Sequence, residues 1–329
     1  MVHSIEQIRE IIKNKIPSGL VVPEHTDTGH FYRHVPSNLL FSSVTAKCGI
    51  LDSPHLKKWS AKLAVEYICK QVEIDPSLLQ PGKIVTLKPA AILAHQDHFE
   101  DAGDVGTKGH KVIEDYLLDW MNTGNRPESI IPFVPNDSND SRVIAIARSA
   151  EKFCKDFLVI PIVSEMKIAS VKYKYGGTLD SLMMVFNKHT DGEKNCEKHD
   201  FLQLSKRNPN KVKCLLCGLS GEYEFSIVDW KTSNSIDKVE YAMQTAAYWQ
   251  ALYEMTGLKP KRIYVVRIDK AVCKYEVRVL TNRKQAFKSF FHAANLYDWL
   301  NDGNDKLINA TPRETISLES ITLKNGTNN

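Results

Sequence analysis

The run Phe225-Ser226-Ile227-Val228-Asp229-Trp230-Lys231 constrains this chain more than any other stretch. It is mostly apolar until it ends in an acid and a lysine two positions apart, and it reads as a short buried strand. Alternation along a strand puts Asp229 and Lys231 on one side and Trp230 on the other. Earlier in the chain, Gly177-Thr178-Leu179-Asp180 offers a second acid at a strand end. Two carboxylates beside a lysine make a small site for a hard ion such as Mg²⁺, which takes one or two carboxylates and leaves room for water and phosphate. The lysine would orient a water or offset charge growing on a phosphate. An acidic strand end with an ordinary surface ion pair has the same tripeptide, so the reading depends on what the rest of the chain adds.

The chain has 329 residues, room for one elaborated domain or two. Its net charge of +4 is compatible with a nucleic-acid partner without demanding one. No apolar run approaches the roughly 18 residues that span a bilayer. The start, Met1-Val2-His3-Ser4-Ile5-Glu6, lacks a signal pattern. Of seven cysteines, Cys48, Cys69, Cys154 and Cys273 stand singly among apolar neighbours, as buried thiols in a reducing compartment do. A cytoplasmic location is expected.

Taken in order, residues 4–15 show helical spacing (Ile5, Ile8, Ile11, Ile12) and stop at Pro17-Ser18-Gly19. Tyr32 to Phe41 reads as extended, and Leu56, Trp59, Leu63 and Ala64 share a helical face. Residues 1–95 are therefore expected to form a helical forepart. Asp101 to Gly109 is rich in glycine and reads as a turn entering a helix near Thr107. On that helix His110 and Glu114 lie one turn apart, on the face extended by Ile113, Leu117 and Trp120. Residues 124–145 form a loop on composition, and Ile144 to Phe157 a helix. Strands follow from Pro161 and from Thr178 to Phe186. Glu165, near a strand start, is either a site acid or an edge-strand charge. After Lys231 come a helix from Asp237 to Thr256 with Gln244 and Tyr248 on one face, strands at 262–268 and 274–280, and a helix from Arg283 to Leu300. Residues 303–329 are read as a C-terminal tail, whose periodicity is lost from about Thr315.

Between the two acids, residues 187–222 interrupt the strand pattern. Cys196-x-x-His199 and Cys214-x-x-Cys217 have the spacing of a Cys3His zinc knuckle, where a metal supplies stability that a small core lacks. Lys206, Arg207, Lys211 and Lys213 make its centre basic, either as solvated charge or as a nucleic-acid-binding, phosphate-contacting loop.

With these pieces in hand, the chain resembles the PD-(D/E)XK nuclease superfamily, in its branch of RecB-type, mitochondrial-genome-maintenance-exonuclease-like and phage exonucleases. Five short motifs carry the resemblance in order over roughly residues 40–280: Gly106-Thr107-x-x-His110 with Glu114; Glu165; Gly177-Thr178-Leu179-Asp180; Ile227-Val228-Asp229-Trp230-Lys231-Thr232; and Gln244-Thr245-Ala246-Ala247-Tyr248. The resemblance implies an α/β, restriction-endonuclease-like core (96–186 and 223–302) with a central mixed sheet flanked by helices. It also implies Mg²⁺ or Mn²⁺ on His110, Asp180 and Asp229, with Lys231 assisting the attacking water. Glu165, Gln244 and Tyr248 would surround the site and position the strand being cut. The implied activity is a metal-dependent DNA exonuclease acting on free ends or single strands. Relatives in this superfamily serve phage recombination, repair and organelle DNA turnover.

One departure stands out. The two acids of this superfamily usually share a tight hairpin, whereas here the knuckle-like insert separates them. If the insert replaces the hairpin turn, the acids still meet, and the knuckle is expected to project over the cleft as a lid or DNA guide. Two other readings remain open: a structure-specific endonuclease on the same fold, and a catalytically silent nucleic-acid-binding module. The full set of His110, Asp180, Asp229, Lys231, Gln244 and Tyr248 weighs against silence.

Overall fold

The strand expected at Phe225 is the last part of a longer one that starts at Ser220, and its pairing with the strand of Asp180 is the axis of the molecule. A computed structural model describes residues 3–27, 29–51, 54–80, 82–135, 140–188, 199–237 and 239–301. In chain order the forepart contains α1 (Ile5–Lys15), β1 (Val21–Thr26), β2 (Gly29–His34), β3 (Leu39–Ser42), α2 (Val44–Cys48) and α3 (Pro54–Ile74). Next come α4 (Lys88–Thr123), α5 (Ser141–Asp156), β4 (Ile160–Ser170) and β5 (Tyr175–Lys188). Then follow β6 (Phe201–Gln203), β7 (Lys211–Cys214), β8 (Ser220–Lys231), α6 (Val239–Thr256), β9 (Arg262–Ile268), β10 (Tyr275–Val279) and α7 (Arg283–Asn301).

The architecture is mixed α/β. Strands run in the order β10-β9-β8-β5-β4, with β7 beside the start of β8 and β6 beside β7. All pairings are antiparallel except β8 with β9, whose ends are joined through α6. A parallel neighbour requires such a crossover. Both faces of the central strands are buried, so β5 reads as nearly continuous apolar sequence. Its alternate residues Leu182 and Met184 pack with α1, α2, α6 and α7, through Ile8, Val44, Ala247 and Phe290. Met183 and Val185 pack instead with α4 and α5, through Leu117, Ile146 and Phe153. Trp230 joins this second layer, edge-on to Phe153 at 5.3 Å and donating from Nε1 to Ser181 Oγ at 3.1 Å. Asp229 and Lys231 therefore turn to the other side, as the alternation requires.

Three expectations need correction. The forepart is not purely helical: β1, β2 and β3 form a separate antiparallel sheet, and Tyr32 packs against Gly176 of β5. The boundary expected at 95/96 falls inside α4, a single helix of 36 residues. The glycine-rich stretch is likewise helix and not turn. Each glycine costs a helix about 1 kcal/mol relative to alanine, but Gly106 and Gly109, three residues apart, are points of close approach. A Cβ at Gly109 would stand 2.8 Å from Ile146 of α5, and one at Gly106 3.0 Å from Thr232. Tertiary packing, invisible to local propensity, decided that segment.

The β8–β9 junction is clamped by Glu224. Its carboxylate, almost fully buried, accepts from Asn187 at 3.1 Å and pairs with Lys261 at 2.6 Å and with Arg262. Burial alone would raise its pKa, but Lys261, Arg262 and Asn187 outweigh it and hold the group below the ordinary glutamate value. A depressed carboxylate stabilises the fold above its unfolded pKa and loses that contribution as pH falls through the folded value. Glu224→Gln should therefore cost about 1.5–3 kcal/mol at pH 7. In urea melts, the gap from wild type should close as the pH is lowered below 4.5.

Candidate functional site

The strand registers bring three acids into one transverse row. Ser164 pairs with Ser181 and Met166 with Leu179, which sets Glu165 of β4 across from Asp180 of β5. Ser181 pairs with Val228 of β8, and the Trp230 N–H donates to Asp180 Oδ2 at 2.8 Å, which sets Asp229 beside Asp180 on the other flank. Like charges directly across a sheet repel, so this row is unfavourable unless a cation offsets it. His110 from α4 faces the row, its Nδ1 3.9 Å from Glu165 Oε1 and 4.0 Å from Asp180 Oδ2. One ligand atom from each of His110, Glu165 and Asp180 lies within 4.8 Å of the others. Glu165 reaches its place from a left-handed backbone, φ +51°. That conformation costs a non-glycine residue about 1–3 kcal/mol.

Asp229 stands behind Asp180 with its side chain 1% exposed. Neither of its carboxylate oxygens has a hydrogen-bond partner of good geometry among the described residues, and Lys231 Nζ lies 2.8 Å from Oδ2 as a charge contact. Burial pushes the Asp229 acid up to about 6, against the pull of Lys231 and with a further push from Asp180. Burial likewise raises Asp180, opposed by His110 and Lys231. For Lys231 burial acts downward, but Asp229 and Asp180 overcome it and keep the ammonium charged. For His110 burial is again opposed, by Glu165 and Asp180, and the net shift is upward. Lys231 also lies 5.1 Å from the centre of the Tyr241 ring. Oxygen donors with one imidazole suit Mg²⁺ or Mn²⁺, and Asp229 Oδ1, buried without a hydrogen-bond partner among the described residues, fits such an ion.

Glu165 and Asp180 open into a cleft of about 500 Å³ that is also lined by Gly106, His110, Glu114 and Thr232. On the side of α6, Gln244 Nε2 donates to the Tyr248 hydroxyl at 2.8 Å. The Tyr248 ring fills the space that a side chain at position 177 would take: a Cβ there would lie 2.6 Å from Cε1. Thr178 Oγ1 and the Tyr32 hydroxyl, 2.9 Å apart, extend the polar rim.

Sequence reasoning placed His110, Asp180 and Asp229 on the metal and Glu165 around it. In the structure Glu165 joins His110 and Asp180 as the tightest donor group, and Asp229 sits deeper, coupled to Lys231. Thr232 and Tyr32 were missed. Thr232 carried a weak signal, as the residue after Lys231, whereas nothing local connects Tyr32 to Asp180.

A second donor group lies elsewhere. His199, Cys214 and Cys217 offer atoms within 4.8 Å of one another, with Cys217 Sγ 3.5 Å from His199 Nδ1. Cys196, the expected fourth donor, lies outside the described residues. Burial raises the Cys214 thiol, but the N–H groups of Cys217 and Leu216 and the His199 ring outweigh it and bring it down to about 6. The insert does replace the hairpin turn: β5 and β8 stay paired out to Lys188 and Gly221. Its position corrects the expected lid. The acids lie at one end of this ladder and the described part of the insert, from His199 on, joins it at the other, about 26 Å away for eight strand residues. Lys206, Arg207, Lys211 and Lys213 are exposed on that far end and do not border the cleft.

No protein-family model matches the chain, and no curated protein matches it. Among the described residues no helix is long and apolar enough to cross a membrane.

Two outcomes follow from the crowded charges and the tight contact. An acid whose folded pKa is raised destabilises the fold once pH exceeds its unfolded value. Asp180→Asn, which keeps an acceptor for Trp230, should raise the melting temperature at pH 8 in EDTA by about 2 °C or more, and should abolish the upward shift that Mg²⁺ gives wild type. Gly177→Ala should displace Tyr248 and cost about 1–3 kcal/mol, read by thermal denaturation.

Proposed function

We propose that this protein is a metal-dependent DNA nuclease of the PD-(D/E)XK type that hydrolyses phosphodiester bonds from free ends. The observation that carries the reading is the row Glu165–Asp180–Asp229, with Lys231 two residues beyond and His110 facing it; Glu165, Asp180 and His110 line an open cleft, and Asp229 and Lys231 stand behind them. Support also comes from the order of elements: three antiparallel strands bearing the acids, then a helix bearing Gln244 and Tyr248, then a parallel strand. That is the order the restriction-endonuclease-like core implies, and His110, Asp180, Asp229, Lys231, Gln244 and Tyr248 all converge on one region.

In this reading Glu165, Asp180, Asp229 and His110 hold one or two Mg²⁺ or Mn²⁺ ions, which when bound supply positive charge to the scissile phosphate and acidify water. Lys231, kept protonated by Asp229 and Asp180, donates a hydrogen bond to the attacking water or to a non-bridging oxygen. Its short tether to Asp229 orients it, so little reorganisation is needed when charge develops. The Gln244–Tyr248 pair presents polar hydrogens beside the acids and positions the strand being cut. Glu114 and Thr232 border the path by which a phosphate chain enters.

The test is digestion of end-labelled single- and double-stranded DNA with Mg²⁺, Mn²⁺ or EDTA, next to a covalently closed single-stranded circle. Metal-dependent release of label from linear DNA, with the circle left intact, is expected. Lys231→Ala should slow cleavage by about 10²–10³-fold while keeping the thermal shift on adding Mg²⁺. Cleavage at the wild-type rate in Lys231→Ala would remove the chemistry from this site, and a cut circle would make the enzyme an endonuclease.

A further inference from the structure

We propose that His199, Cys214 and Cys217 bind a structural Zn²⁺ ion that closes the far end of the β5–β8 ladder. This inference is independent of the nuclease reading. Two sulfurs and an imidazole are soft to borderline donors, which select Zn²⁺ over the hard ions suited to the acidic cleft. The donor pair Cys217–His199 has the spacing a shared zinc requires. With Zn–S near 2.3 Å and Zn–N near 2.05 Å, the edge of a tetrahedron joining S to N is about 3.6 Å, and Cys217 Sγ stands 3.5 Å from His199 Nδ1.

The backbone around the donors forms a tight knuckle. Gly218 takes a left-handed φ of +76°, and its N–H donates to the Cys214 carbonyl at 3.0 Å. The Cys214 N–H donates to the Leu219 carbonyl at 2.7 Å. His199 is delivered from the other side, by the segment leading into β6, and its ring stacks on Phe201 at 5.2 Å. One ion would thus join the β7–β8 turn to the entry of β6.

The insert also needs such a link. Among the described residues its buried apolar cluster is Phe186, Val212, Cys214 and Leu219, with half-buried Leu158, Phe201, Cys217 and Tyr223 against it, whereas Leu202, Leu204, Leu215 and Leu216 are exposed. A cluster of that size cannot order the segment by burial alone, and metal binding energy is folding energy in such small units. The effect reaches further: the Tyr223 N–H donates to the Asn210 carbonyl at 2.9 Å, and Asn210 Nδ2 donates to the His3 carbonyl at 3.2 Å. Zinc in the insert therefore steadies the start of β8 and its contact with the N-terminal segment.

The test uses the full chain purified under reducing conditions without added chelator. Elemental analysis should find close to one zinc per chain, and Cys214→Ser and Cys217→Ser should each lose most of it. Because these variants could misfold, wild type is also stripped with a chelator and titrated with Co²⁺. Sulfur-to-cobalt charge-transfer absorption with intense tetrahedral bands, displaced by an equivalent of Zn²⁺ and unaffected by excess Mg²⁺, is expected. Stripping should lower the melting temperature, and Zn²⁺ but not Mg²⁺ should restore it. Wild type that carries no zinc and shows no thiolate–cobalt absorption would overturn the proposal. So would a Cys214–Cys217 disulfide that binds no metal after reduction, or full zinc retention in both serine variants.

Discussion

Charge repulsion across the sheet is the constraint on which the site depends. Glu165, Asp180 and Asp229 occupy neighbouring positions on three adjacent strands, and the chain offers them one buried ammonium, Lys231, and one imidazole, His110. A sheet would not hold such a row on its own account, because desolvation and mutual repulsion both penalise the charged forms. It is held by packing on both faces. Leu182, Met184 and Ile227 anchor one layer, and Met183, Val185, Val228 and Trp230 the other. The apolar burial of the β5–β8 pair thus supports a local arrangement that is itself unfavourable.

Close backbone approach is the second ingredient. Gly106 and Gly109 of α4 let the helix settle against Ile146 and Thr232, and that docking carries His110 to within 4.0 Å of Asp180. Gly177 does the same on the opposite side by admitting the Tyr248 ring. Small residues in these motifs act through the neighbours they allow near the acids.

The two donor clusters are separated by the length of one β-ladder and by the chemistry of their atoms. Oxygen and a single nitrogen at one end are donors of the kind hard ions take; two sulfurs and a nitrogen at the other are of the kind zinc takes. Placing the insert at the remote end lets it grow between the two acidic strands without disturbing their register, since β5 and β8 remain paired along the whole interval.

Much of this was legible in the sequence, because it depends on local periodicity. The strand at Phe225, the helix carrying Gln244 and Tyr248, the alternation that parts Trp230 from Lys231, and the Cys-x-x-Cys knuckle are all short-range patterns. Tertiary structure decided the rest. Whether Glu165 was an edge charge or a site acid depended on its register against Asp180 and on a left-handed backbone that propensity does not foresee. Whether Gly103 to Gly109 was a turn or a helix depended on the surface of α5. Whether the knuckle covered the cleft depended on which end of the β5–β8 ladder carried the acids. Side-chain pattern along one strand determines which face a residue takes, but only pairing between strands sets which residues from distant segments stand side by side.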